Sequence, residues 1–153
     1  MDFLKFSGPL YITSITYILC SFSIDARNQG YWTALHYAAQ NGHTQVVNCL
    51  IKNGADVDAE GENGCTPLHM AIQCGHIRVV DCLIQTGRAD TEALKAPGLT
   101  PLHYAIQQHK IKIVNFLLES GVNVNARGPG RYTPLHFAVD NKLVGILEDL
   151  ILK

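Results

Sequence analysis

The sequence lacks most of the features that announce a chemistry. It has no surplus of either charge: 12 basic and 13 acidic residues leave −1 over 153 residues. Nucleic-acid binders usually carry a clear basic excess, so nucleic acid is not expected as a partner. No Cys-x-x-C pair occurs, which removes zinc ribbons and thioredoxin-like redox motifs. The five cysteines (Cys20, Cys49, Cys65, Cys74 and Cys82) are odd in number and irregularly spaced, unlike a secreted disulfide framework. Reduced cysteines in an intracellular, cytoplasmic protein are expected. No uninterrupted apolar run reaches the roughly 18 residues of a membrane span, and no membrane is expected. No charge run or low-complexity tract marks a disordered tail. The glycines of ARGPGRY (126–132) follow no strand–turn–helix pattern, so no phosphate-cradling loop is indicated.

What is present is apolar and periodic. Apolar residues make up 47% of the chain, the share of an ordinary globular domain. Residues 66–76 read TPLHMAIQCGH, and His69, Cys74 and His76 are residue types that bind zinc elsewhere. The same stretch recurs as TALHYAAQNGH (33–43), TPLHYAIQQHK (100–110) and TPLHFAVDNKL (133–143), with starts 33, 34 and 33 residues apart. A fixed period of that length marks stacked repeats. VVNCLIKNGADVDA (46–59), VVDCLIQTGRADTEA (79–93) and IVNFLLESGVNVNA (113–126) extend the match, the second carrying one inserted residue near Arg88.

Elementary rules convert this unit into two helices. Thr33, Thr66, Thr100 and Thr133 stand where an N-cap belongs, and Pro67, Pro101 and Pro134 at the first helical position. Leu68, Ala71 and Ile72 follow at the spacing of one buried stripe. Gly42 and Gly75 fit a left-handed residue after the first helix, and Gly54, Gly87 and Gly121 after the second. His109 and Lys142 occupy the position of Gly42 and Gly75 in the later units, where positive φ or a changed turn is expected. Tyr31 and Arg131 replace the glycines Gly64 and Gly98 of the connecting fingers, and Gly145 is expected to interrupt the last helix. Cys49, Cys82 and Phe116 form one column that reads as half-buried and apolar, with Asp149 in the last unit.

On the T-P-L-H-x-A, G-H and V-V-x-x-L-[LI] motifs, over roughly residues 12–153, the sequence resembles the ankyrin-repeat family. The resemblance implies an all-α solenoid of stacked helix–turn–helix units with β-hairpin finger loops. The expected division is an N-terminal extension (1–11), a degenerate partial repeat (12–29), three repeats (30–62, 63–96 and 97–129) and an incomplete C-terminal repeat (130–153). Residues 10–20 fall where a second helix belongs. A signal peptide competes for that segment, against which stand Asp2, the Thr, Ser and Tyr in the apolar stretch and the missing A-x-A site.

The resemblance also answers the zinc question. His69 belongs to a series with His36, His103 and His136, and four equivalent histidines cannot ligate one ion. A local hydrogen bond at the repeat junction is expected instead, with no metal, no cofactor and no catalytic residue. A Cys/His enzyme would need a nucleophile, base and orienting group converging in one pocket. The implied function is a non-catalytic scaffold or adaptor, monomeric and binding a protein rather than a small molecule on its concave face. The alternatives are a piece of a larger ankyrin-containing channel or signalling protein, or a host-directed effector. The expected protein-binding residues are Trp32, Cys65, Leu99 and Tyr132 before each threonine, with Trp32 and Leu99 as exposed anchors. Gln40, Asn41, Gln73, Cys74, Gln107, Gln108 and Asp140 end the first helices, and Glu62 and Asn63 lie at a finger tip.

Overall fold

Four threonines start four helices. Thr33, Thr66, Thr100 and Thr133 all have extended backbone angles, and the chain turns helical at the next residue. The computed structural model describes residues 23–152. The expected extension over 1–11 and the expected helix over 10–20 lie outside the described residues. The helices run α1 (Ala34–Gln40), α2 (Thr44–Lys52), α3 (Pro67–Cys74), α4 (Ile77–Asp81), α5 (Pro101–Gln107), α6 (Ile111–Glu119), α7 (Pro134–Asp140) and α8 (Val144–Ile151). The first helix of each pair packs on the first helix of the next, and the second helices stack likewise. The result is an all-α repeat solenoid.

The core is a column of equivalent side chains. Leu35, Leu68 and Leu102 are buried, as are Ala38, Ala71, Ala105 and Ala138. Alanine at this position lets neighbouring first helices approach closely. Val79, Val80 and Leu83 of repeat two meet Ile113, Val114 and Leu117 of repeat three in the same buried cluster. Each large apolar side chain contributes roughly 1.5–3 kcal/mol, and the burial comes both from packing within each helix pair and from stacking on the neighbouring repeats.

Three local expectations need revision. The fingers are not laddered hairpins: the one bridge among the described residues is Lys95 with Leu99. Elsewhere a finger closes by one bond, Gly61 N–H to the Cys65 carbonyl or Gly128 N–H to that of Tyr132. Four-residue closures leave no room for a ladder. Gly145 lies inside α8 rather than breaking it. Gly87 does not take the left-handed position of Gly54 (φ 84°) and Gly121 (φ 78°); Arg88 does, with φ 56°. The inserted residue is absorbed as a π turn over Cys82–Thr86. Gly87 is needed for space: a Cβ there would lie 2.7 Å from the Leu83 carbonyl oxygen and 2.9 Å from Val57 Cγ1. His109 (φ 54°) and Lys142 (φ 55°) do carry positive φ, as does Tyr31 (φ 61°).

Candidate protein-binding surface

Histidine wires the first helices together. Thr33 donates its backbone N–H to His36 Nδ1 (3.1 Å) and its hydroxyl lies 3.0 Å from the same atom. Nδ1 is therefore an acceptor, which leaves the ring proton on Nε2. Nε2 donates to the Cys65 carbonyl of the next repeat (2.9 Å). His103 repeats this with Thr100 (2.8 Å) and the Tyr132 carbonyl (3.1 Å). His69 keeps the bond to its threonine (Thr66 Oγ1, 2.9 Å). The equivalent carbonyl there, Leu99, is near enough to favour the protonated ring, yet no acceptor meets hydrogen-bond geometry at Nε2. Burial pushes all three rings below the usual imidazole pKa, His69 to about 4 with the Lys95 charge acting in the same direction.

The histidines and cysteines therefore diverge instead of converging. His69 is buried, Cys74 is exposed, and His76 Nε2 bonds the Gln40 carbonyl at 3.0 Å. Among the described residues, no three His, Cys, Asp or Glu side chains are placed to hold a metal ion. Burial raises the Cys65 and Cys82 thiols, which opposes thiolate formation. The Cys49/Cys82/Phe116 column is uneven: Cys49 is exposed, Cys82 buried and Phe116 half-buried.

The expected binding residues separate into two groups. Cys65 and Leu99, each 4% exposed, belong to the core. Their expected exposure is corrected: Cys65 Sγ sits 3.2 Å from Met70 Sδ, and Leu99 joins the same buried cluster. The outer members of the column stay accessible. Trp32 is half-buried, its ring 5.5 Å from His36 and 5.8 Å from Tyr37. Tyr132 is 44% exposed, 5.1 Å from the His136 ring.

At the ends of the first helices, Asn41, Gln73, Cys74, Gln107 and Asp140 are exposed, and Gln40 and Gln108 are half-buried. Asn41 is partly committed, donating Nδ2 to the Tyr37 carbonyl at 2.8 Å. Glu62 and Asn63 are exposed on their finger, and Asn63 adopts φ 58°. Sequence reasoning missed two neighbours. Tyr37, 47% exposed, accepts at its hydroxyl from Asn28 Nδ2 (2.8 Å). Leu94 is 57% exposed beside Lys95, whose ammonium lies 4.8 Å above the Tyr104 ring. Its signal was the lengthened finger after Arg88.

A pair of helices per unit, a His–Thr cap and a carbonyl bond to the next unit define a stacked helical repeat protein. The family model of ankyrin repeats, three copies long, matches residues 10–95 and 88–153. The chain belongs to the ankyrin-repeat family. Ankyrin repeats are in general protein–protein interaction modules without catalysis of their own. No curated protein matches the sequence. Among the described residues, no helix is long and apolar enough to cross a membrane.

Proposed function

We propose that this protein is a non-catalytic interaction module that binds a protein partner across the finger tips and the ends of its first helices. The observation that carries this reading is the row Gln73, Cys74 and Gln107. These side chains are exposed in the middle of the stack, while their repeat-mates on the same helices are packed inside. A glutamine amide both donates and accepts, so the row suits a polar, hydrogen-bonding polypeptide. Trp32 and Tyr132 flank it as aromatic anchors, the residue types that dominate interface energetics. The reading needs no cofactor, nucleic acid or small-molecule substrate. It assigns a monomer acting in the cytoplasm, in keeping with reduced cysteines.

Affinity capture from the source cell, followed by calorimetry with the captured partner, tests this. Truncating Gln73 and Gln107 together to Ala should weaken binding about tenfold or more, corresponding to at least about 1.4 kcal/mol, with the thermal melt unchanged. Lys52→Ala, at the end of α2 on the opposite face, should leave affinity as it is. A loss confined to Lys52→Ala would move the site to the convex side.

A further inference from the structure

Asparagine is followed by glycine three times, at Asn41–Gly42, Asn53–Gly54 and Asn63–Gly64. Such a pair carries its own chemistry. The backbone nitrogen of the second residue can attack the side-chain amide carbon of the first and close a five-membered ring. Glycine has no Cβ to shield that nitrogen, and asparagine counts among the thermolabile residues. All three asparagines are exposed, so water reaches each of them. Their surroundings otherwise differ.

Asn41 and Asn53 are held in side chain and backbone alike. Each caps the C-terminus of a helix, α1 and α2. Asn41 Nδ2 donates to the Tyr37 carbonyl at 2.8 Å, and Asn53 Nδ2 to the Cys49 carbonyl at 2.8 Å. These bonds tie each amide back to its own helix. Gly42 and Gly54 donate their N–H groups to the Ala39 and Ile51 carbonyls, and His43 and Ala55 donate theirs to Ala38 and Leu50. Paired bonds of this kind close a helix end. Turning the glycine nitrogen toward the asparagine side chain breaks them.

Asn63 stands instead on an exposed finger, closed by the bond from Gly61 N–H to the Cys65 carbonyl at 2.8 Å. No hydrogen bond among the described residues holds its side-chain amide. Gly64 N–H reaches the Gly61 carbonyl at 3.3 Å, the same distance as Gly42 N–H to that of Ala39. The free amide and the absence of a helix end therefore set Asn63 apart. Its own carbonyl accepts from Ala96 N–H at 2.8 Å, a bond to the next finger.

We propose that Asn63–Gly64 is a self-modification site, at which the native chain converts Asn63 to aspartate and isoaspartate while Asn41 and Asn53 stay intact. The Gly64 nitrogen gives up its proton and bonds to Asn63 Cγ. The Cγ–Nδ2 bond breaks, and Nδ2 leaves as ammonia with that proton. Water then opens the cyclic imide. Attack at Cγ restores the backbone and leaves an aspartate side chain. Attack at the main-chain carbonyl leaves the chain running through Cγ, as isoaspartate. Nothing is oxidised or reduced. Either product puts a carboxylate beside Glu62 in place of a neutral amide, and isoaspartate lengthens the backbone that bonds Ala96. An effect on partner binding rests on the interaction surface proposed above; the reaction itself does not.

Peptide mapping by mass spectrometry, with isoaspartyl methyltransferase labelling of the peptides, follows the native chain during incubation in mildly alkaline buffer. A parallel sample is unfolded in guanidinium chloride. The folded chain should convert at Asn63 several-fold faster than at Asn41 or Asn53, with isoaspartate as the main product. The unfolded chain should convert at all three sites at similar rates. Folded-state conversion at Asn41 or Asn53 as fast as at Asn63, or conversion at Asn63 only after unfolding, overturns the assignment. So does a preference for Asn63 that persists unchanged in guanidinium chloride, which would trace it to neighbouring sequence instead of the fold.

Discussion

Acid should weaken this fold, and His69 sets the scale. Its ring is wholly buried and its pKa is depressed to about 4, first by burial and then by the Lys95 charge. An unfolded histidine titrates near about 6.5. A folded value below the unfolded one means that protons favour the unfolded chain. The stabilisation is complete above about pH 6.5 and is lost as the pH falls toward 4. Between about pH 7.5 and about pH 5 the loss from His69 alone is roughly 2 kcal/mol, approaching about 3 kcal/mol below pH 4. Against a total of about 5–15 kcal/mol for a typical domain, that is a large fraction. His36 and His103, also depressed by burial, add in the same direction. The assay is a pair of urea melts at the two pH values for the parent and for His69→Leu, which has nothing to titrate at that site. The parent should lose roughly 2 kcal/mol more than the variant on acidification. Equal losses would refute a buried, neutral His69.

Leu83, fully buried between neighbouring repeats, should cost about 2–5 kcal/mol on truncation to Ala, read as a lower urea midpoint. Leu99→Ala should likewise act on stability, by about 2–5 kcal/mol; an unchanged melt would put its side chain outside the core. Gly145 lies inside α8 with open space around its Cβ direction, so Gly145→Ala should raise stability by about 0.5–1 kcal/mol. His109→Gly relieves a left-handed backbone at the expense of glycine's greater unfolded freedom, and a net gain of up to about 1 kcal/mol is expected, read as a higher melting temperature.

Much of the fold was legible because it is written several times. A threonine cap, a proline and a Leu–His–x–Ala stripe at one period specify a helix and its buried face together. The histidines could be read as structural for the same reason, since one column cannot serve one ion. Cys65 and Leu99 were misplaced because their column has no shared chemistry: Trp, Cys, Leu and Tyr give no common polarity to read. Burial there depends on what the next repeat lays over the side chain, which local pattern does not encode. The extra residue was visible near Arg88, but hydrogen-bond register decided that the helix would take it as a π turn. The crowding of Gly87 against Val57 is a contact between repeats, and no sequence spacing reveals it. Tyr37 fills the unspecified position of the T-P-L-H-x-A motif, so the motif is silent about it, and the bond from the Asn28 amide to its hydroxyl is seen only in the structure.

Hydrogen exchange of the protein with its captured partner, mapped by peptide, tests the binding surface most directly. Protection on binding should fall on the finger at residues 60–65, the helix ends at 73–76 and 107–110, and the finger at 94–99. Residues 46–53 and 112–120, on the second helices, should exchange as they do in the free protein. Protection confined to the second helices, with the fingers and the ends of the first helices unchanged, would contradict the proposed surface.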